Sequence, residues 1–193
     1  MVQWGMEPDQ NPNVSPGKRI VPSASWDDLD LAEGSLQELR DVEQLAAEAR
    51  SSSRVGDKAP RRGVIALFIG DAAPAKARAA AALAKWLGAD LVTVDLSGVV
   101  SQYIGETEKN LRRVFAAAEE SAAVLFFDEA DALFGKRTDV KDSHDRYQNQ
   151  EVDYLLQRVE AFAGLVILAT NMRDDEALAV IKRPPVAVRF HEP

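Results

Sequence analysis

Two carboxylates stand side by side at Asp128 and Glu129, directly after the apolar run Val124-Leu125-Phe126-Phe127. An acidic pair leaving so hydrophobic a stretch sits where a strand runs out of its sheet. In a phosphate-cleaving site one such acid can hold Mg²⁺ and the next can polarise water. A pair of solvated acids opening a helix, favoured by the helix dipole, would read the same. A second segment, Gly70-Asp71-Ala72-Ala73-Pro74-Ala75-Lys76-Ala77, follows another apolar run and leads into an alanine-rich stretch. Its placement suits the phosphate-cradling pattern G-x-x-x-x-G-K-[ST], in which backbone N–H groups hold the phosphates and the lysine adds charge. Gly70 and Lys76 match. Ala75 replaces the second glycine, Ala77 replaces the hydroxyl residue, and Pro74 removes one N–H. By itself the segment is also an ordinary strand-to-helix turn with a surface lysine. At Thr170-Asn171 a third run ends in an asparagine that can orient water or touch a terminal phosphate, or can simply form a turn.

Chemistry at strand ends needs strands to carry it. Short, continuous apolar runs, β-branched or aromatic as buried parallel strands are, occupy residues 64–69, 91–94, 124–127, 165–169 and 186–190. Helical stretches lie between them at 76–87, 108–121 and 151–162. Leu111, Val114, Phe115 and Ala118 make one stripe, and Val152, Leu155, Leu156 and Val159 another. The alternation predicts an α/β fold with a five-stranded parallel sheet flanked by helices on both faces. Open sheets of this kind bind ligands at the carboxyl ends of their strands. Asp128 and Asn171 are therefore expected at one edge, with Lys76 opposite them. Ahead of the sheet, Trp26-Asp27-Asp28-Leu29 reads as an aromatic anchor. Ser35 with Glu38 reads as a capping box for a helix whose stripe is Leu36, Leu39, Val42 and Ala46. Residues 1–25, rich in Pro, Asn, Ser and Gly, read as a flexible arm, and 51–62 as a polar loop.

Composition narrows the function classes. Hydrophobic residues make up 46% of the 193, enough for a full core, which argues against disorder. The net charge of −8 argues against a nonspecific grip on nucleic acid. There is no cysteine, and His144 and His191 lie too far apart to pair as ligands, so thiolate and histidine metal sites are not expected. No apolar run approaches the ~20 residues that span a bilayer, and no signal peptide is visible. A soluble cytoplasmic protein follows as the expectation.

Taken together, the order of a degenerate phosphate loop, an acidic strand end and a strand-end asparagine resembles AAA+ ATPases of the P-loop NTPase class. The most specific stretches are residues 101–115 and 124–134. Within that family the chain is similar to AAA-type ATPases of phage-tail-like contractile systems. The resemblance covers residues 26–193 as the large subdomain of a three-layer core. It implies ATP and Mg²⁺ as ligands, with Lys76 on the phosphates within the loop Gly70, Asp71, Ala72, Ala73, Pro74, Ala75, Lys76 and Ala77. It implies Asp128 as the metal-side acid, Glu129 as the catalytic base and Asn171 as the first sensor. Tyr103, Ile104 and Gly105 match the pore loop that grips polypeptide in ring-shaped unfoldases. Arg183 lies near the arginine-finger position, although Lys182 and Pro184-Pro185 depart from the usual pattern. Tyr103 as a half-buried loop aromatic and Arg183 as a solvated arginine are the plainer alternatives.

Two departures set the functional expectation. Ala75 puts a methyl where glycine lets the backbone approach phosphate, and Ala77 lacks the hydroxyl that would ligate Mg²⁺. The helical lid with its second sensor, which family members carry after the last strand, is expected to be missing after Pro193. The resemblance then implies ATP-driven protein remodelling in a homo-oligomeric or mixed ring, with weak ATP binding and impaired hydrolysis. The alternative is a non-enzymatic pseudo-ATPase acting as scaffold or ring subunit. A nucleic-acid-handling P-loop protein is a third reading, which the acidic balance disfavours. Neither nucleic acid nor membrane is an expected partner.

Overall fold

The computed structural model describes residues 17–52, 63–99, 106–134, 143–181 and 185–190. Its strands are β1 (Lys18–Ile20), β2 (Val64–Ile69), β3 (Leu91–Asp95), β4 (Val124–Asp128), β5 (Leu165–Thr170) and β6 (Val186–Arg189). The helices are α1 (Glu33–Ser52), α2 (Ala73–Trp86), α3 (Leu96–Val99), α4 (Glu106–Ser121), α5 (Asp131–Phe134), α6 (Ser143–Ala161) and α7 (Asp174–Val180), with a 3-10 turn at Trp26–Asp28. One sheet runs in the order β1-β3-β4-β5-β2-β6. The five strands from β2 to β6 are parallel, as the apolar runs predict.

Alternation along the strands divides the core into two layers. Ile65, Leu67 and Ile69 of β2 point to one face, where they meet Leu111, Val114 and Phe115 of α4 and Val152, Leu155 and Val159 of α6. Ala66 and Phe68 point to the other, against Leu39 and Val42 of α1 and Ala79, Ala80 and Leu83 of α2. Small alanines on α2 let that helix lie close to the sheet, which brings its amino end over the strand ends. Helix, sheet and helix make the three layers of a P-loop NTPase-type core. No helix among the described residues is long and apolar enough to cross a membrane.

Two sequence expectations need correcting. Among the described residues the sheet has six strands rather than five: β1 lies inside the segment read as an arm and pairs antiparallel with β3, Lys18 opposite Thr93. Arg19 Nε donates to Asp90 Oδ2 at 2.6 Å, which holds this edge strand in place. Three residues of Lys-Arg-Ile offer no alternation for a pattern to detect, and a short charged strand is how many sheets protect an edge.

The Ser35–Glu38 capping box does not form. Helix α1 begins at Glu33, so Ser35 already lies in its first turn. Ser35 Oγ instead donates to the Arg189 carbonyl. Glu38 accepts the Arg189 backbone N–H at 2.8 Å and its guanidinium Nη1 at 2.6 Å. Arg189 Nε also donates to Asp174 Oδ2 of α7 at 2.6 Å. A partner 151 residues away has taken the place of the local one. A local cap appears instead at Ser25 and Asp28, where the Asp28 carboxylate accepts the Ser25 N–H at 2.7 Å and its hydroxyl at 2.8 Å, and the Asp28 N–H donates to the Ser25 carbonyl.

Arg189 thus joins α1, β6 and α7. Glu38→Ala and Arg189→Ala should each destabilise the domain. A double-mutant cycle in urea should give a coupling of about 0.5–1 kcal/mol, held down because both side chains are partly exposed. Additive effects would show that the contact contributes nothing.

Candidate functional site

Parallel pairing brings the strand ends level. Ile69, the last residue of β2, stands opposite Thr170 on one side and Arg189 on the other, and Asp95 stands opposite Asp128. The segments singled out for chemistry therefore converge at one edge. The backbone ties them together: Gly70 N–H donates to Thr170 O at 3.1 Å, and Ala130 N–H donates to Ala169 O at 2.8 Å.

Gly70 has a packing reason to be glycine. Its φ is +131°, and a Cβ there would lie 1.9 Å from the Phe190 carbonyl oxygen. The chain turns so closely past β6 that no side chain fits. Helix α2 then begins at Ala73, three residues ahead of Lys76. In the phosphate-cradling pattern the loop runs up to the lysine and the N–H groups of the helix start face the ligand. Here the Ala73 N–H donates to Asp71 O at 2.9 Å, and the Ala75 and Lys76 N–H groups both donate to Ala72 O, at 3.0 and 3.1 Å. Pro74 lies in the first turn, where its fixed φ favours helix formation and its missing N–H costs nothing. The residue that deletes a phosphate donor is also the one that starts the helix early.

Lys76 completes the closed arrangement. Its side chain is 1% exposed. The ammonium donates to Gly70 O at 2.7 Å, to Asn171 Oδ1 at 2.9 Å and to Thr170 O at 3.2 Å. Burial pushes its pKa below the usual lysine value, while the charges of Asp128, Asp131 and Asp71 pull it back up. Lys76 is thus buried, unlike the surface lysine of the plainer alternative, and in direct contact with Asn171.

Asp128 is half-buried at the end of β4, and its Oδ1 accepts the Glu129 N–H at 3.0 Å. Glu129 is exposed and left-handed, with φ +53°. That conformation costs a non-glycine residue of order 1 kcal/mol or more and occurs most often at functional sites. Asp131 supports the arrangement from behind: its Oδ1 accepts the Asn171 N–H and the Thr170 hydroxyl, both at 3.3 Å. The sequence reading passed over Asp131 as a site residue, although it lies three places beyond Asp128 in the acidic stretch. It also missed the Thr170 carbonyl, for which sequence carries no signal. Tyr103, Ile104, Gly105 and Arg183 lie outside the described residues.

ATP with Mg²⁺, which the resemblance implies, would need a nest of outward N–H groups, a lysine free to reach phosphate and a hydroxyl on the metal. The turn as folded does not fit this group. Four of its N–H groups, at Gly70, Ala73, Ala75 and Lys76, are bonded to backbone oxygens. Pro74 has none, the Lys76 ammonium is satisfied, and Ala77 has no hydroxyl. A cavity of about 390 Å³ opens elsewhere, at the opposite end of the strands beside Val64, Val124 and Leu165. It lies away from the convergent polar groups, and parallel sheets place their ligands at the other end.

Residues 66–191 match the family model described as ATPase family associated with various cellular activities (AAA). The chain is 30% identical over 167 residues to a cell division cycle protein 48 homolog of Archaeoglobus fulgidus, covering 85% of this chain and 22% of that protein. It is 35% identical over 145 residues to the 26S proteasome subunit RPT4 of Saccharomyces cerevisiae, covering 72% of this chain and 32% of the relative. With the peroxisomal ATPase pex6 of Schizosaccharomyces pombe the figures are 33% over 161 residues, 80% and 17%. The chain thus spans between about a sixth and a third of the length of these relatives.

The close passage at Gly70 generates a test. Gly70→Ala combines backbone strain with a collision against Phe190 and should cost about 3 kcal/mol of unfolding free energy in denaturant. A loss below about 1 kcal/mol would mean that the turn is free to open.

Proposed function

This chain belongs to the ATPase family associated with various cellular activities (AAA), and from that membership we propose that it serves a protein-remodelling ring as a subunit that hydrolyses no ATP itself. The family implies nucleotide binding, usually with Mg²⁺. The observation that supports a non-hydrolysing role is the closed turn, where the N–H groups that would hold phosphate are spent on Thr170, Asp71 and Ala72 carbonyls. The relatives named above include a proteasome subunit and a peroxisomal ATPase, which suits a polypeptide substrate and a ring of like or mixed subunits. On this reading the chain contributes two things to the assembly. Tyr103, Ile104 and Gly105 grip the substrate, and Arg183 reaches towards a neighbour's nucleotide. No nucleic acid or membrane takes part, and the setting is the cytoplasm.

A second reading is favoured by one specific observation: Asp128, Glu129 and Asn171 all stand at the proper strand ends. In that reading the chain is a slow ATPase with a weakened phosphate site, in which Asp128 would hold the metal and Glu129 would act as the base.

A titration with Mg-ATP, with phosphate release measured beside it, separates the two. Each lost hydrogen bond to a charged phosphate weakens binding by about 1.5–3 kcal/mol. Two such losses lower affinity by roughly two orders of magnitude or more. The parent chain is therefore expected to show no saturable binding at micromolar ATP. The triple change Pro74→Thr, Ala75→Gly and Ala77→Thr should restore Mg²⁺-dependent binding. Micromolar binding by the parent would overturn the closed phosphate site, and phosphate release beside it would overturn the non-hydrolysing role and leave the slow ATPase. For the pore loop, Tyr103→Ala should leave the melting temperature unchanged and abolish polypeptide capture by the assembled ring, read by fluorescence anisotropy of a labelled unfolded substrate.

A further inference from the structure

We infer that Lys76 is a structural latch, holding the amino end of α2 down on the carboxyl ends of β2 and β5 in the absence of any nucleotide. The inference rests on the closed turn that supports the proposed function, but it concerns stability and can stand or fall without ATP.

An ammonium has three N–H donors and no acceptor. All three donors of Lys76 are matched, by Gly70 O, Thr170 O and Asn171 Oδ1. No donor is left for a phosphate oxygen, so a phosphate could be engaged only by breaking a contact already made. The oxygens belong to two different strand ends, and the lysine itself sits in the first turns of α2. One side chain therefore joins three elements. The Asn171 end is fixed in turn, because Asp131 at the start of α5 accepts both the Asn171 N–H and the Thr170 hydroxyl. The bonded path runs from α2 through Lys76 to β5 and on to α5.

A charge with 1% exposure is costly unless it is both hydrogen-bonded and compensated. Lys76 has both, from the three oxygens and from the carboxylates of Asp128, Asp131 and Asp71. Removing only the ammonium would take this donor from the Gly70 carbonyl and the Asn171 amide oxygen, leave the Thr170 carbonyl with the Gly70 N–H alone, and leave the three aspartates without their cation. A lysine kept only to meet phosphate behaves in the opposite way. It is a burden on the empty fold, and its loss leaves stability unchanged or raises it.

The experiment is thermal unfolding in nucleotide-free buffer. Lys76→Met keeps most of the stem and deletes the donors; its melting temperature should fall by about 5 °C or more. Asn171→Ala should give a smaller fall. The double variant should lose clearly less than the sum, because both changes remove the same contact. A Lys76→Met chain that does not fold in this buffer supports the latch equally, and Asn171→Ala then reports its strength by itself. A Lys76→Met melting temperature equal to or above the parent's, or strictly additive effects with Asn171→Ala, overturns the latch. Phosphate release by the parent in Mg-ATP decides the non-hydrolysing role independently. A destabilised Lys76→Met beside a parent that hydrolyses ATP would keep the latch and discard that role.

Discussion

The parallel register of the central strands is the constraint on which the rest of the molecule depends. Because β2 pairs residue for residue with β5, and β6 joins β2 along its other side, Ile69, Thr170 and Arg189 come to one level. A slip of one residue would exchange the two faces of β2, sending Ile65, Leu67 and Ile69 into the layer that packs around Ala66 and Phe68. It would also carry Gly70 off the Phe190 carbonyl and Lys76 off Thr170. The continuous apolar character of these strands therefore does two jobs. It fills two core layers, and it sets the height at which every polar group at the site emerges.

Much of this was legible in the sequence because buried parallel strands need unbroken apolar runs, and five such runs are present. The helical stripes on α4 and α6 were legible for the same reason: Leu111, Val114, Phe115 and Ala118, and Val152, Leu155, Leu156 and Val159, all lie in the core. Helix starts were read less well. Helix α6 begins at Ser143 rather than near 151, since its first residues are polar and carry no stripe. Helix α2 begins at Ala73 rather than 76, because the phosphate-loop pattern was weighed above the simpler signal of Pro74 as a helix opener. The Ser35–Glu38 pairing shows the general limit. A local motif states what a residue can do nearby, and a distant partner such as Arg189 can offer more.

At the candidate site the sequence identified the residue types, and the structure added their partners. Lys76, Asp128 and Asn171 do come together, yet the contacts of Lys76 run inward, to two backbone oxygens and the Asn171 side chain. A helix that starts three residues early uses up the donors that an open loop would present. The acids at the strand ends thereby acquire an internal counterion, one supplied by the chain itself.

The tie between α1 and β6 bears on how the chain is made. Glu38 emerges from a ribosome 151 residues ahead of Arg189. At about 5–20 residues per second this is a wait of roughly 8–30 s. Throughout that interval the inward stripe of α1, with Leu39, Val42 and Ala46, lacks part of its cover, because α1 packs on β6 as well as β2. The nascent domain thus presents a sticky amphipathic helix until its last strand arrives. Closure then comes late and over a long loop, the kind of contact that slows folding most.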